Sequence, residues 1–188
     1  IARKTAHGVE MWVHPTLVSS ASLLANVNGV GNAVMVQGNF AGSTLYSGPG
    51  AGAEATASAV VADLIDLARD RLAGVKAPVR PALGPPQAGS SLDVLPIEQI
   101  EVGYFLKIPV LDKLGVMAKL SAVLQQRGIS IEAIIQKESE NSETVPVVIL
   151  TQVVREQELN AALDALAELD EVTGPVTRIR IEPFDGEA

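Results

Sequence analysis

The sequence predicts an α/β chain, more narrowly α+β, in two parts: a partial mixed or antiparallel sheet with one long helix, then a β-α-β-β-α-β module. Three observations carry this. Strand and helix periodicity alternate twice over residues 103–182, a long helical stretch follows a glycine-rich loop at 48–52, and a proline-rich segment separates the two regions.

In the first region Val9, Met11 and Val13 alternate with Glu10, Trp12 and His14, which reads as a strand ending at Pro15. Arg3 and Lys4 read as a solvated helix end, Trp12 as core or interface, and residues 16–31 as a loop. Ala33–Val36 and Ser43–Ser47 flank a hairpin-length Gly38–Gly42 connection. Gly48-Pro49-Gly50-Ala51-Gly52 then opens an alanine-rich helix running to about Arg69. Five of the eleven prolines, Pro78, Pro81, Pro85, Pro86 and Pro96, fall in the next stretch with Gly84, Gly89, Ser90 and Ser91. Such a segment supports neither a helix nor a ladder. Residues 1–76, a linker at 77–100 and a module at 101–188 are the expected divisions.

In the second region Tyr104, Leu106, Ile108 and Val110 alternate as a strand, and Asp112-Lys113-Leu114-Gly115 reads as a turn. Val116, Leu120, Val123 and Leu124 follow helical spacing up to Arg127-Gly128, where glycine suits the C′ position. Ile129–Ile135 is a second strand, Glu138–Glu143 a polar loop, and Val145–Val154 a nearly continuous apolar strand. Leu159, Ala162, Leu163 and Leu166 make the second helix. In the last strand Thr177, Ile179 and Ile181 are expected to face inward and Arg178 and Arg180 outward. Right-handed crossovers then place both helices on one face of an antiparallel, ferredoxin-like sheet, and a second copy is the simplest cover for the other face.

Composition narrows the functions. Lys and Arg number 14 against 22 Asp and Glu, a net charge of −8. That charge, without a basic run, argues against nucleic-acid binding. Cysteine is absent and the histidines are two, His7 and His14, so thiol catalysis, disulfides and multi-histidine metal sites are excluded. No apolar run approaches the ~18 residues of a membrane span, and a cytoplasmic chain is expected.

Two places offer ligand chemistry. At Asp112–Val116 a strand ends, helix N–H groups are free, and Gly115 permits close approach. A small ligand's carboxylate could sit there with its ammonium group on Asp112; the bland alternative is that Asp112 caps the helix. Gly50-x-Gly52-x-x-Ala55 superficially matches a dinucleotide fingerprint, but no strand with the expected acidic residue follows. Either the loop touches a ligand held mainly elsewhere, or its small residues serve close packing. His14 reads as a general acid or base, or as a strand-end histidine satisfied locally.

Leu106–Leu120, with Asp112-Lys113-Leu114-Gly115-Val116, and Arg127-Gly128-Ile129-Ser130-Ile131-Glu132 resemble an ACT domain, a family of amino-acid-sensing modules. Leu114 stands where that family usually has proline, which leaves the turn looser. Ile1–Val18, Val27–Val34, Tyr46–Gly52 and Thr56–Asp63 resemble bacterial homoserine dehydrogenase. Together the resemblances cover essentially all 188 residues, but only the later part of that family. They imply an oxidoreductase of threonine and methionine biosynthesis, interconverting L-homoserine and L-aspartate 4-semialdehyde with NADP or NAD. The nucleotide would be held mainly by a domain absent from this chain, with Gly52 and Gly50 contributing a loop. No residue here matches the family's catalytic lysines or substrate-binding acids, so no catalytic and no metal-binding residue is assigned. The effector-binding candidates are Asp112, Leu114, Gly115 and Val116, with L-threonine the expected effector. A homodimer or homotetramer, without nucleic-acid or membrane partners, is implied, and the piece alone is expected to lack dehydrogenase activity. The rival reading is a non-catalytic amino-acid-binding and dimerisation module.

Overall fold

The computed structural model describes residues 1–74, 92–136 and 143–182. Among these the strands and helices in chain order are β1 (Ala2–Lys4), β2 (Val9–Met11), β3 (Thr16–Val18), β4 (Gly31–Gly38), β5 (Gly42–Pro49), α1 (Ala53–Leu72), β6 (Glu101–Leu111), α2 (Val116–Gln126), β7 (Ile131–Gln136), β8 (Thr144–Thr151), β9 (Val154–Arg155), α3 (Glu156–Ala167) and β10 (Thr177–Glu182). They fall into two units, described separately: Ile1–Val18 with the described residues from Leu92 onward, and the described residues from Ser19 to Gly74.

The first unit is a sheet of order β3-β10-β6-β8-β7, with β9 pairing to the start of β6. β6 is antiparallel to both neighbours, β8 and β10. Every second β6 residue, Val102, Tyr104, Leu106, Ile108 and Val110, is buried, and Val145, Val147 and Ile149 of β8 join the same core. The period of two puts these side chains on one face. Val116, Leu120 and Leu124 of α2 and Leu159, Ala162 and Leu166 of α3 complete that core. Their three- and four-residue spacings make the matching helical stripes. The expected β-α-β-β-α-β order and its antiparallel sheet are present. α2 stops as anticipated at Gly128, whose φ is +68°. The Gly128 amide donates to the Gln125 carbonyl at 3.0 Å and the Ile129 amide to that of Leu124 at 3.0 Å, a Schellman closure with Ile129 buried beneath it. The polar loop read at 138–143 lies outside the described residues apart from Glu143.

Three local expectations need correction. The Arg3–Lys4 segment is no helix end: it belongs to β1, antiparallel to β2 with Arg3 opposite Glu10. Thr16–Val18, read as loop, is β3, which runs parallel to β10 with Leu17 opposite Ile181. Three residues are too few for periodicity to register, and only the β10 edge gives them a partner. Finally, β10 is turned over relative to the expectation. Arg180 pairs with Tyr104 and Arg178 with Leu106, so both arginines share the helix-covered face, while Ile179 and Ile181 share the other face with Phe105 and Gly103. The apolar-in rule fails because a buried carboxylate, Glu156, waits on the covered side.

Of the residues read as linker, 77–91 lie outside the described set. Residues 92–100 pack on the first unit. The Val9 amide donates to the Asp93 carbonyl and the Leu95 amide to that of Val9, each at 2.8 Å, and Ile100 is fully buried. Strand pairing thus cuts across the composition-based divisions at 76 and 100.

The second unit is the β4–β5 hairpin, in continuous register from Gly31 opposite Pro49 to Gly38 opposite Gly42, followed by α1. No described residue of α1 is buried, and Val60, Val61, Leu64, Ile65 and Leu67 are exposed, as are Val34, Val36 and Tyr46 of the hairpin. A monomeric surface rarely carries so many clustered aliphatic side chains.

Candidate functional site

The predicted turn at the end of β6 is built by backbone chemistry. The Asp112 amide donates to the Glu143 carbonyl at 3.0 Å, and the Val116 amide to that of Lys113 at 3.4 Å. Gly115 has φ +88° and ψ −10°, the values of the third residue of a type II turn over Lys113–Val116. Glycine is required there, and a Cβ at that point would meet no atom within 4 Å. The N-cap of α2 is Gly115 itself, without a side-chain cap, so Asp112 does not cap the helix. Asp112, Leu114 and Gly115 are exposed, whereas Val116 is buried and anchors α2. Beside the turn, Lys119 pairs with Glu171, whose backbone carbonyl accepts from the Leu111 amide at 2.8 Å. The Lys119 ammonium holds the Glu171 carboxyl below its ordinary range. Sequence reasoning missed this pair, because 52 residues separate its members.

The glycine loop has different demands at its two positions. Gly52, N-cap of α1, has φ +125° and ψ 146°, and an added Cβ would meet nothing within 4 Å. Its glycine is conformational. At Gly50 a Cβ would lie 1.6 Å from Asn32 Nδ2, the end of an exposed side chain that would have to turn aside. The Gly50 amide is already used, donating to the Val30 carbonyl at 2.8 Å. Gly52 therefore leaves the free first-turn amides of α1 unshielded by any side chain at the cap, but Glu54 in that turn offsets the positive helix end. The loop can approach a ligand by its backbone; it is not a complete phosphate site.

His14 stacks on Trp12 with ring centroids 5.9 Å apart. Its Nδ1 lies 3.2 Å from both the Pro15 carbonyl oxygen and Thr16 Oγ1. These contacts satisfy Nδ1 locally, whereas the buried Nε2 has no hydrogen-bond partner. Burial pulls the imidazole below its ordinary value, with the Arg180 charge acting in the same direction.

A charged cluster that no motif announced lies under β10. Glu156, 2% exposed at the first turn of α3, accepts from the Tyr104 hydroxyl at 2.5 Å, from Arg180 Nε at 2.9 Å and Nη2 at 2.5 Å. Arg178 Nη1 stands 3.0 Å away. Burial, reinforced by its bond to Glu156, pushes the Tyr104 phenol far above its usual range. The cluster is fully occupied by itself, so it holds α3 to the sheet and offers nothing to a ligand. Its one sequence signal was two arginines alternating on a strand. Among the described residues no helix is long and apolar enough to cross a membrane, and no group of side chains could hold a metal ion.

Known proteins place these features together. The family profile described as homoserine dehydrogenase matches residues 1–65, and that of the ACT domain matches residues 104–171. The chain is 49% identical over 186 residues to a homoserine dehydrogenase of Pseudomonas aeruginosa, covering 98% of this chain and 43% of that protein. A Neisseria gonorrhoeae homoserine dehydrogenase is 43% identical over 97% of this chain and 42% of its own length. The crystal structure of a homoserine dehydrogenase from Thiobacillus denitrificans superposes with TM-score 0.83 at 41% identity, over 97% of this chain and 41% of that one. The chain thus spans about two fifths of the relatives it matches. Over nearly its whole length it is similar to a portion of homoserine dehydrogenases, with the homoserine dehydrogenase match at residues 1–65 preceding the ACT-domain match at 104–171.

Proposed function

We propose that this chain serves an NAD(P)-linked homoserine dehydrogenase as its effector-sensing module and as a loop-bearing part of its catalytic domain. The protein of which it is part would interconvert L-homoserine and L-aspartate 4-semialdehyde in the cytoplasm, as a homodimer or homotetramer. The observation that carries this reading is the order of the two matched families in one chain, at 49% identity over nearly its whole length. The nicotinamide nucleotide supplies or accepts the hydride. Gly50 and Gly52 contribute backbone without side chains to its approach, and Gly52's conformation keeps the start of α1 open. The exposed aliphatic residues of α1 and the hairpin support the expectation that further polypeptide completes the catalytic domain. Accordingly, the 188 residues alone are expected to be inactive. The spectrophotometric test follows NADPH and NADH formation from L-homoserine, with the chain alone and with the complete gene product. Turnover by the chain alone would refute the division of labour; absence of turnover by the complete product would refute the activity.

The turn at Asp112–Val116 supports amino-acid sensing, with L-threonine as effector. Its exposed Asp112 and Gly115 remain available because neither is used to cap α2 through a side chain. Calorimetric titration with L-threonine should show saturable heat that Asp112→Asn removes. A flat titration would favour a purely associative role for the ACT domain.

A further inference from the structure

Residues 1–18 lie within the homoserine dehydrogenase match, yet they are built into the same compact unit as the ACT domain. Strand pairing is one reason: Thr16, Leu17 and Val18 of β3 lie opposite Arg180, Ile181 and Glu182 of β10. Burial is another. Trp12 is 6% exposed and belongs to one core with Ile100, Val102 and Tyr104. Charge is the third. Arg3 of β1 bonds the buried Glu182 of β10 and stands 3.7 Å from Glu10 of β2, so one guanidinium clasps two strands. The backbones also approach closely at Gly8, where a Cβ would lie 2.5 Å from the Asp93 carbonyl oxygen. The boundary of this unit then falls at the single link between Val18 and Ser19.

β10 is gripped from its other side by α3. Arg178 and Arg180 hold Glu156 in the first turn of that helix. α3 packs on α2, whose first residue is Val116 of the predicted effector turn. A contiguous set of packed elements therefore runs from the turn through α2, α3 and β10 to β3. Packed elements of this kind shift between discrete arrangements instead of deforming continuously. The β3 seam is the weakest contact in the series: three residue pairs at the edge of a sheet, which open locally at low cost.

We propose, resting on the effector reading of the Asp112–Val116 turn, that the β3–β10 seam clasped by Arg3 transmits the state of the ACT domain to the dehydrogenase-matched part. β3 has a docked and a released state, and the effector favours the docked one. The ligand's leverage is its preference for the position of α2 that seats α3, and Glu156 with it, against β10.

The complete gene product is titrated with L-threonine, by calorimetry and against the initial rate of NADPH or NADH formation from L-homoserine. At saturation the rate should change about fivefold or more, and amide exchange of Thr16–Val18 should slow. Arg3→Met removes the clasp, and Leu17→Asp weakens the edge pairing opposite Ile181. Both side chains are 40% exposed, so both variants should fold and keep the basal rate. Each should bind L-threonine with a Kd within about threefold of the parent's, while its rate changes less than about twofold. Arg155→Ala, which breaks only the exposed pair with Glu101, is the control and should keep the full response. Should Arg3→Met fail to fold, Leu17→Asp carries the comparison. A full response in the folded variants, an equal loss in Arg155→Ala, or exchange of Thr16–Val18 that L-threonine leaves unaltered overturns transmission through this seam alone. Neither heat nor a rate change in the parent overturns the effector reading, and the proposal with it.

Discussion

Replacing Glu156 by glutamine tests the most consequential packing decision in the molecule. The side chain keeps its size but loses its charge. Arg180, with a side chain only 11% exposed, then has no counter-ion on the covered face of the sheet, and Arg178 at 30% loses the same partner. Removing one member of a buried ion pair costs about 3–5 kcal/mol, because the remaining charge stays desolvated. At about 4–8 °C per kcal/mol for a unit of about 100 residues, the melting temperature should fall by roughly 12–40 °C. The control is Arg155→Ala, which breaks the Glu101 pair whose members are 54% and 55% exposed; screening by water limits that loss to about 1 kcal/mol or less. Urea denaturation of both variants, followed by far-UV circular dichroism, reads the difference. Apolar replacement of the whole cluster, Glu156→Leu with Tyr104→Phe, Arg178→Met and Arg180→Met, should recover most of the stability. If Glu156→Gln unfolds within about 1 kcal/mol of the parent, the arginines have escaped to water and the covered face is not where the register puts them.

Other perturbations read other features. Leu114→Pro should stabilise the ACT domain by about 0.4–1 kcal/mol in chemical denaturation, since Leu114 is fully exposed and occupies the second position of the type II turn, where proline's φ fits. Loss of stability would mean that the turn is of another type. Gly52→Ala should destabilise, whereas Gly50→Ala should cost little, because the exposed Asn32 side chain can turn aside. Asn32→Ala should remove whatever cost Gly50→Ala carries by deleting the two closest atoms of the clash, and none of the cost of Gly52→Ala, where a positive φ costs about 1–3 kcal/mol. Equal rescue of both in thermal melts would contradict the geometry. His14 titrates below its ordinary value near 6.5 because it is partly buried, so the unfolded chain takes up the proton first as the pH falls. Its contribution is fully present above pH 6.5 and is lost progressively below it. His14→Asn should therefore flatten the decline of melting temperature below pH 6.5; an unchanged slope would exclude His14 as its source.

Much of the ACT module was legible because its signals are local and repeated. Tyr104, Leu106, Ile108 and Val110 recur at the strand period, α2 ends on a glycine that must take a left-handed φ, and Leu120 and Leu124 stack on one helical stripe. The turn residues Asp112–Val116 were found by the same logic, although only the structure excludes Asp112 as a cap. The glycine loop could be located but not differentiated: that Gly50 faces Asn32 and Gly52 is conformational depends on the fold, since Asn32 is a neighbour across the hairpin.

Long-range charge pairing was out of reach. Alternation alone turns arginines toward water, yet Arg178 and Arg180 point beneath the sheet because Glu156, more than twenty residues earlier, is buried there. Thr16–Val18 likewise becomes a strand only through the β10 edge, some 164 residues later in its first pair. Sequence fixes what neighbours within a turn or a pleat determine; which face of β10 is covered, and that Glu10 and Glu182 both meet Arg3, depends on charges that only the completed fold brings within a few ångströms of one another.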